Sequence, residues 1–262
     1  MEFMQVLGNR RTIRFFEPNK PVEREKIQVI LEASNRSSRG INVDFCKSIV
    51  VYRDEISDSV RQRLKTPTTN VALDLAPVWI FFYGDMKYPG DGKTHLKQLV
   101  DLGALPATHG WSHAYVDEVI WGNVIGVFAN DPTLNIWFLS VECGLAICQA
   151  LLTAFEEGLG AGLHAFDANV AKEVLKVPDH WFPMWMLLIG YPAEDPKAGG
   201  QRPRRPLGQN NFLGQYGVPF PEDPAVTEKL KQRGLIQEPM SPDGRARKAE
   251  IRKLAERFGL PM

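Results

Sequence analysis

With 262 residues and 31 basic against 31 acidic side chains, the chain carries no net formal charge, which removes any global electrostatic argument for nucleic acid or an anionic membrane as partner. A chain this long buries about three-quarters of its extended surface, and no Ser/Gly linker or low-complexity run divides it, so one large core is expected. Cys46, Cys143 and Cys148 are too few and too scattered for a disulfide framework or a zinc site. The start of the chain lacks the apolar run of a secretory signal, and charged and proline residues follow Arg10-Arg11 where a twin-arginine signal needs a hydrophobic stretch. A cytoplasmic protein is the expectation.

The first feature in chain order is Arg10-Arg11-Thr12-Ile13-Arg14-Phe15-Phe16, ahead of what reads as the first helix. Arginine's fixed, forked donors match phosphate better than lysine does, so three guanidiniums and a hydroxyl this close together suit a multiply charged oxyanion. A solvated basic turn is the competing reading, and the string alone does not choose. Residues 21–34 form an amphipathic helix, with Val22, Ile27, Ile30 and Leu31 on one face and Glu23 and Glu25 suiting the dipole of the first turn. The polar run 35–40 ends it. Residues 47–52 (KSIVVY) read as a strand and 54–64 as a helix. Residues 76–83 (APVWIFFY) are apolar on both faces, the mark of a central strand.

The longest element starts at Asp131, a good N-cap, and Pro132, a good first helical residue. It runs to about Glu157, with Gly158 and Gly160 as stop signals. Its middle, 141–155, is apolar nearly all round, so it either crosses a membrane or lies buried. Glu142, Gln149, Glu156 and Glu157, with no positive flank, favour a core or subunit-interface helix. A strand over 161–166, a helix over 168–176 capped by Asp167, and a central strand over 183–191 (PMWMLLIGY) complete the body. From about residue 210 the chain is rich in Pro, Gly and charge and closes with a helix near 245–258. Residues 1–209 are therefore expected to form the domain and 210–262 an extension lying over something else.

Several short motifs compete for attention. Gly158, Gly160 and Gly162 follow a helix and open a strand, the reverse of a dinucleotide fingerprint, and read as a helix cap and a tight turn. Gly92-Lys93-Thr94 resembles the end of a P-loop, but Lys87 stands where the first glycine of that motif belongs. His109 and His113 have a zinc-ligand spacing, broken by Gly110 and without a following Glu, and no metal is expected. The basic C-terminal run, Arg245 to Arg257, reads as a solvated helix face rather than a nucleic-acid patch.

Taken together, the opening RRTIRFF, the loop Arg36-Ser37-Ser38-Arg39-Gly40, the buried helix, GLGAGLHAFD, LLIGYP and Gln201-Arg202-Pro203-Arg204-Arg205-Pro206-Leu207 form a succession. That succession resembles the FMN-dependent nitroreductase family over about residues 4–210. The resemblance implies an α+β fold with a central mixed, mainly antiparallel sheet flanked by helices, assembled as a homodimer with FMN at the subunit interface. It implies that Arg10, Arg11, Thr12 and Arg14 hold the FMN phosphate and ribityl chain, joined by Arg202, Arg204 and Arg205 on the same phosphate. Ser37 and Ser38 match serines given to the partner's flavin, with Asn42 offering an amide to its edge. Leu163, His164 and Ala165 fall beside the isoalloxazine ring, the Ala165 amide facing flavin N5, and the extension embraces the partner subunit. Near the N1/O2 edge the family places a lysine, and Lys65 and Asn70 lie in the right region.

The departures are as informative. Where the family shows Asn and then Gln-Pro-Trp, this chain has Gly40, Asn42, Val43 and Asp44. The stretch 87–130 holds Trp111, Tyr115 and Trp121, rings suited either to sandwich a flat acceptor over the flavin or to pack a lid. The expected activity is NAD(P)H reduction of FMN followed by reduction of a flat electron-poor acceptor such as a nitroaromatic or quinone. His164 is the candidate proton donor. Alternatives are a specialised flavin enzyme of the same fold (dehydrogenation, reductive dehalogenation or flavin fragmentation) and a non-catalytic flavin- or nucleotide-binding protein.

Overall fold

A computed structural model describes residues 1–87, 89–241 and 243–260. Its four strands are β1 (Cys46–Tyr52), β2 (Val78–Asp85), β3 (Gly160–His164) and β4 (Trp181–Gly190), hydrogen-bonded in the order β1-β2-β4-β3. Every pairing between these strands is antiparallel; among the described residues, parallel contacts appear as isolated bridges between Thr12 and Ala161 and between Gln201 and Pro239. The expectation of a mixed sheet thus narrows to an antiparallel one. β2 and β4 are central, as their two-sided apolarity requires.

Strand alternation divides the core in two. Trp79, Phe81 and Tyr83 of β2 face one layer, with Phe16, Leu73, Ala171 and Met186. Val78, Ile80 and Phe82 face the other, with Ile27, Ile30, Cys143 and Ile147. The first layer is covered by α3 (Asp58–Leu64), α4 (Asn70–Leu75) and α7 (Ala168–Val174); the second by α2 (Arg24–Asn35) and α6 (Pro132–Glu156). Between β2 and α6 lie α5 (Pro89–Asp101) and a helical stretch over 113–130 that includes a π-helical segment, Val116–Ile125. Gly92-Lys93-Thr94 sits inside α5, so it forms no phosphate loop.

The cap signals operate as read. Asp131 accepts from the amides of Thr133 and Leu134, and Asp167 from those of Asn169 and Val170. α6 has the length and apolarity to cross a membrane, yet Leu139, Cys143, Ile147 and Ala150 pack into the core. Its opposite side leaves Leu134, Trp137, Val141 and Leu145 exposed. A short helix, α1 (Phe3–Asn9), precedes the arginine string. It escapes sequence reading because it is short and buries only Val6 and Gly8.

The extension has two parts. Residues 211–228, with the start of α8 (Pro224–Gln232), are largely exposed. From about residue 235 the chain returns to its own body, and α9 (Arg245–Phe258) docks through Arg247, Leu254 and Ala255. Arg247 pairs with Glu194, whose side chain is fully buried, and with Glu250 at 2.7 Å. The other Glu194 oxygen accepts the backbone N–H groups of Arg14 and Phe15. Removing one partner of a buried pair strands the other charge, which costs about 3–5 kcal/mol. Arg247→Ala is therefore expected to lower stability by about 3 kcal/mol in urea unfolding, with part of the loss recovered in Arg247→Ala/Glu194→Gln. Equal stability of Arg247→Ala and the parent would refute this role.

Candidate functional site

The arginine string lies along the sheet edge. Ile13 donates to the Ala161 carbonyl at 3.0 Å, Glu17 to Tyr191 at 2.8 Å, and Ala193 to Phe15 at 2.9 Å. A side chain at residue 160 would come within 2.9 Å of the Ile13 side chain, and one at 162 within 2.7 Å of the Ile13 carbonyl oxygen. Gly160 and Gly162 therefore permit this close approach, whereas the turn function expected for the trio falls to Gly158, at φ +76°. Along the string, Arg11 and Ile13 are buried while Arg14 points outward.

Two adjoining cavities open on this edge and share Arg14. The first, about 710 Å³, gathers Arg10, Arg11, Thr12, Arg14, Arg202 and Arg204, with a far wall from Leu235 to Pro239. The second, about 940 Å³, is lined by Arg14, Phe15, Asn70, Val71, His164 and the Lys248/Ile251/Arg252 face of α9. Both fall in the size range of small-molecule sites, about 300–1,000 Å³.

Charge pairing separates these arginines from the rest. Ten arginines hold a carboxylate. Those without one among the described residues are Arg10, Arg11, Arg14, Arg202, Arg204, Arg205 and Arg252, and all but Arg205 line the two cavities. Burial lowers the pKa of Arg10, Arg11 and Arg202, and neighbouring guanidiniums lower each further. Such a cluster is stabilised by an anion.

The predicted residues fare unevenly. Arg11 already makes four hydrogen bonds, to Gly8, Arg10 and Gly200 carbonyls and to Gln237 Oε1, so it braces the cavity wall with little left for a ligand. Arg205 is exposed and lines neither cavity. Of the two residues considered for the N1/O2 edge, Asn70 lines the second cavity while Lys65 pairs with Asp74 at 2.7 Å. Leu163 turns into the core, His164 lines the second cavity, and the Ala165 amide, just past β3, has no acceptor among the described residues.

Ser37, Ser38 and Asn42 lie elsewhere, on the loop after α2. There the Gly40 amide donates to both oxygens of buried Glu142 at 3.1 Å, and Ile41 and Asn42 take positive φ. Burial raises the Glu142 pKa, with Gly40 and Arg39 opposing. Trp111 and Tyr115 stack edge-on at 5.4 Å, and Trp121 packs over Gly92; none of the three lines either basic cavity of its own chain. His113 bonds Asp101 at 2.8 Å and His109 bonds Thr108. Sequence reading missed Glu194, the wall from Leu235 to Pro239, and Lys248 and Arg252. Only the basic spacing on the last helix signals any of them, and Lys248 and Arg252 do lie on its exposed side.

An antiparallel sheet between helical layers, with an arginine-lined cleft along one edge, defines an α+β protein built to hold an anionic ligand. The Nitroreductase family model matches residues 7–105. The chain is 26% identical over 220 residues to the FMN reductase [NAD(P)H] of Bacillus subtilis (strain 168), covering 82% of this chain and 74% of that one. It is 22% identical over 208 residues to YdgI of the same organism, named as an NAD(P)H nitroreductase, covering 77% and 94%. A protein of Exiguobacterium sibiricum 255-15, described as a nitroreductase and crystallised in complex with FMN, superposes with a TM-score of 0.64 at 20% identity, over 81% of this chain and 97% of its own. The chain is thus similar to the nitroreductase family in sequence over residues 7–105 and shares the fold of its solved relatives.

Burial, helped by Arg14, holds the His164 pKa below the usual imidazole value, and its Nε2 is buried without a partner among the described residues. The ring is therefore neutral at pH 7. Because the unfolded chain takes a proton near pH 6.5 and the folded one resists it, stability is unaffected above about pH 6.5 and falls as pH drops below it. His164→Gln should lose less stability than the parent between about pH 6.5 and 5, read as melting temperature against pH. Parallel curves would show that His164 titrates alike in both states.

Proposed function

We propose that the protein is an FMN-dependent NAD(P)H oxidoreductase. The observation that carries this reading is the meeting of two distant arginine clusters, Arg10 to Arg14 and Arg202 to Arg204, in one cavity without carboxylate partners. A phosphate dianion needs several cations in a partly buried site, and the donor set fits one. Arg10, Arg202, Arg204 and the Thr12 hydroxyl hold the phosphate, with Arg11 bracing the wall behind them. Arg14 stands between this clamp and the second cavity. Asn70, His164 and the Ala165 amide, which has no acceptor among the described residues, would line the ring's place. When bound, FMN supplies the redox chemistry, taking hydride from NAD(P)H and passing electrons to a flat electron-poor acceptor such as a nitroaromatic or quinone. Neutral His164 keeps its ring against the cavity wall and is a poor acid at pH 7, so water delivers the protons.

In this reading the active unit is a homodimer working in the cytoplasm, where NAD(P)H is available. Leu134, Trp137, Val141 and Leu145 form an exposed apolar stripe along α6 at spacings of three and four residues, the pattern of a helix seam. Ser37, Ser38, Asn42 and the aromatic stretch around Trp111, Tyr115 and Trp121 then serve the partner's flavin. The exposed arm 211–228, rather than α9, embraces the partner.

The purified protein is expected to be yellow and to bleach on anaerobic NADH or NADPH addition; a colourless protein that does not take up FMN would sink the reading. Arg10→Ala/Arg204→Ala should reduce FMN occupancy at least about tenfold, since each charge-assisted contact contributes about 1.5–3 kcal/mol. Unchanged occupancy would remove these residues from the clamp. Trp137→Glu/Val141→Glu should sediment as a monomer, and a persistent dimer would place the seam elsewhere.

A further inference from the structure

The second cavity holds more positive charge than a flavin needs. Its charged and titratable lining is Arg14, His164, Lys248, Arg252 and a single carboxylate, Glu256, with which neither Lys248 nor Arg252 forms an ion pair. The phosphate clamp accounts for Arg10, Arg202 and Arg204, and Arg14 borders both spaces. An oxidised flavin ring is uncharged and its reduced form carries one negative charge at the N1/O2 edge, so of Arg14, Lys248 and Arg252 the ring itself calls for one cation at most.

Their placement is specific. Lys248, Ile251, Arg252 and Ala255 share one face of α9, at helical spacings of three and four, and that face lines the cavity. The adjoining face carries Arg247 and Leu254 into the body, with Ala255 buried between the two and Arg247 locked to Glu194 and Glu250. A buried ion pair thus fixes the rotation of the helix and aims two unpaired cations at the space beside His164. Around them the wall is apolar, from Phe15, Val71, Ile251 and Leu260. Flat apolar surface with cations at one side suits a flat molecule bearing an anion.

We propose that this cavity seats the second reactant, and that Lys248 and Arg252 of the same subunit select one carrying an anionic group on a flat apolar body. This rests on the flavin reading for the identity of the first reactant. Two sources supply that chemistry: a carboxylate on the electron acceptor, or the 2′-phosphate of NADPH. Carboxylate and phosphate are recognised by the same forked or ammonium donors.

The test uses the FMN-loaded protein and Lys248→Gln/Arg252→Gln, whose exposed positions keep the docked face of α9 intact. Calorimetric binding of 4-nitrobenzoate and of its neutral counterpart 4-nitrobenzamide is measured on both proteins, alongside KM for NADH and NADPH. If the acceptor carries the anion, the parent binds 4-nitrobenzoate about tenfold tighter than the amide and the variant loses that preference. If the nucleotide carries it, the variant raises KM for NADPH about tenfold and leaves KM for NADH unchanged. A variant that alters neither ratio overturns the proposal, as does a parent without either preference. Failure of the flavin reading appears separately, as a colourless protein, and the 4-nitrobenzoate titration still reports on Lys248 and Arg252 in that case.

Discussion

The carboxylate of Glu194 is the point on which this site turns. One oxygen receives the amides of Arg14 and Phe15 and the other meets the Arg247 guanidinium. A fully buried charge is tolerated only with such partners. The same contact therefore fixes the backbone of the arginine string and the position of the last helix. Glu194 thereby links the cofactor cleft to the C-terminal extension, alongside the packing of Leu254 and Ala255 and the Arg11–Gln237 hydrogen bond. That arrangement ties the charge layout of two cavities to a segment more than two hundred residues from the string.

The electrostatics follow from where carboxylates are absent. Across the rest of the molecule every described arginine but Arg205 is paired with a carboxylate, many in exposed pairs that contribute little to stability. Along the sheet edge that pairing stops. Guanidiniums brought together there lower one another's pKa and gain from an incoming anion. No carboxylate lines the first cavity and one, Glu256, lines the second, which distinguishes the cleft from a merely basic surface.

Much of this was legible in the sequence. Short apolar runs located the four described strands and a long apolar run the central helix, and Asp131-Pro132 and Asp167 marked helix starts because capping is a local interaction. The split clamp was legible because arginine density is unusual and its two halves occupy a fixed order. The π-helical segment after α5 was not, since its geometry depends on tertiary packing. Neither was Glu194, a single glutamate beside Ala193 and Asp195 whose burial no local pattern announces. The basic last helix has the exposed face its spacing predicts, at Arg245, Lys248, Arg252, Lys253 and Arg257, but periodicity does not announce that Arg247 turns inward to Glu194. The glycines of 158–162 were read as punctuation, when Gly160 and Gly162 are clearance for a neighbouring strand-like segment.

The string from Arg10 to Arg14 runs extended against β3, so its side chains alternate between core and cleft with a period of two. Arg11 and Ile13 anchor inward while Thr12 and Arg14 face the ligand space. Such a segment is frame-dependent in a way that a helix or a flexible loop is not. Deleting or inserting one residue would exchange the two sets, turning Arg14 toward the apolar layer around Phe16 and Met186 and moving the buried anchors into water. Length between the end of α1 and the Phe16–Pro192 bridge is thus under tighter physical constraint than the identity of any single arginine within it.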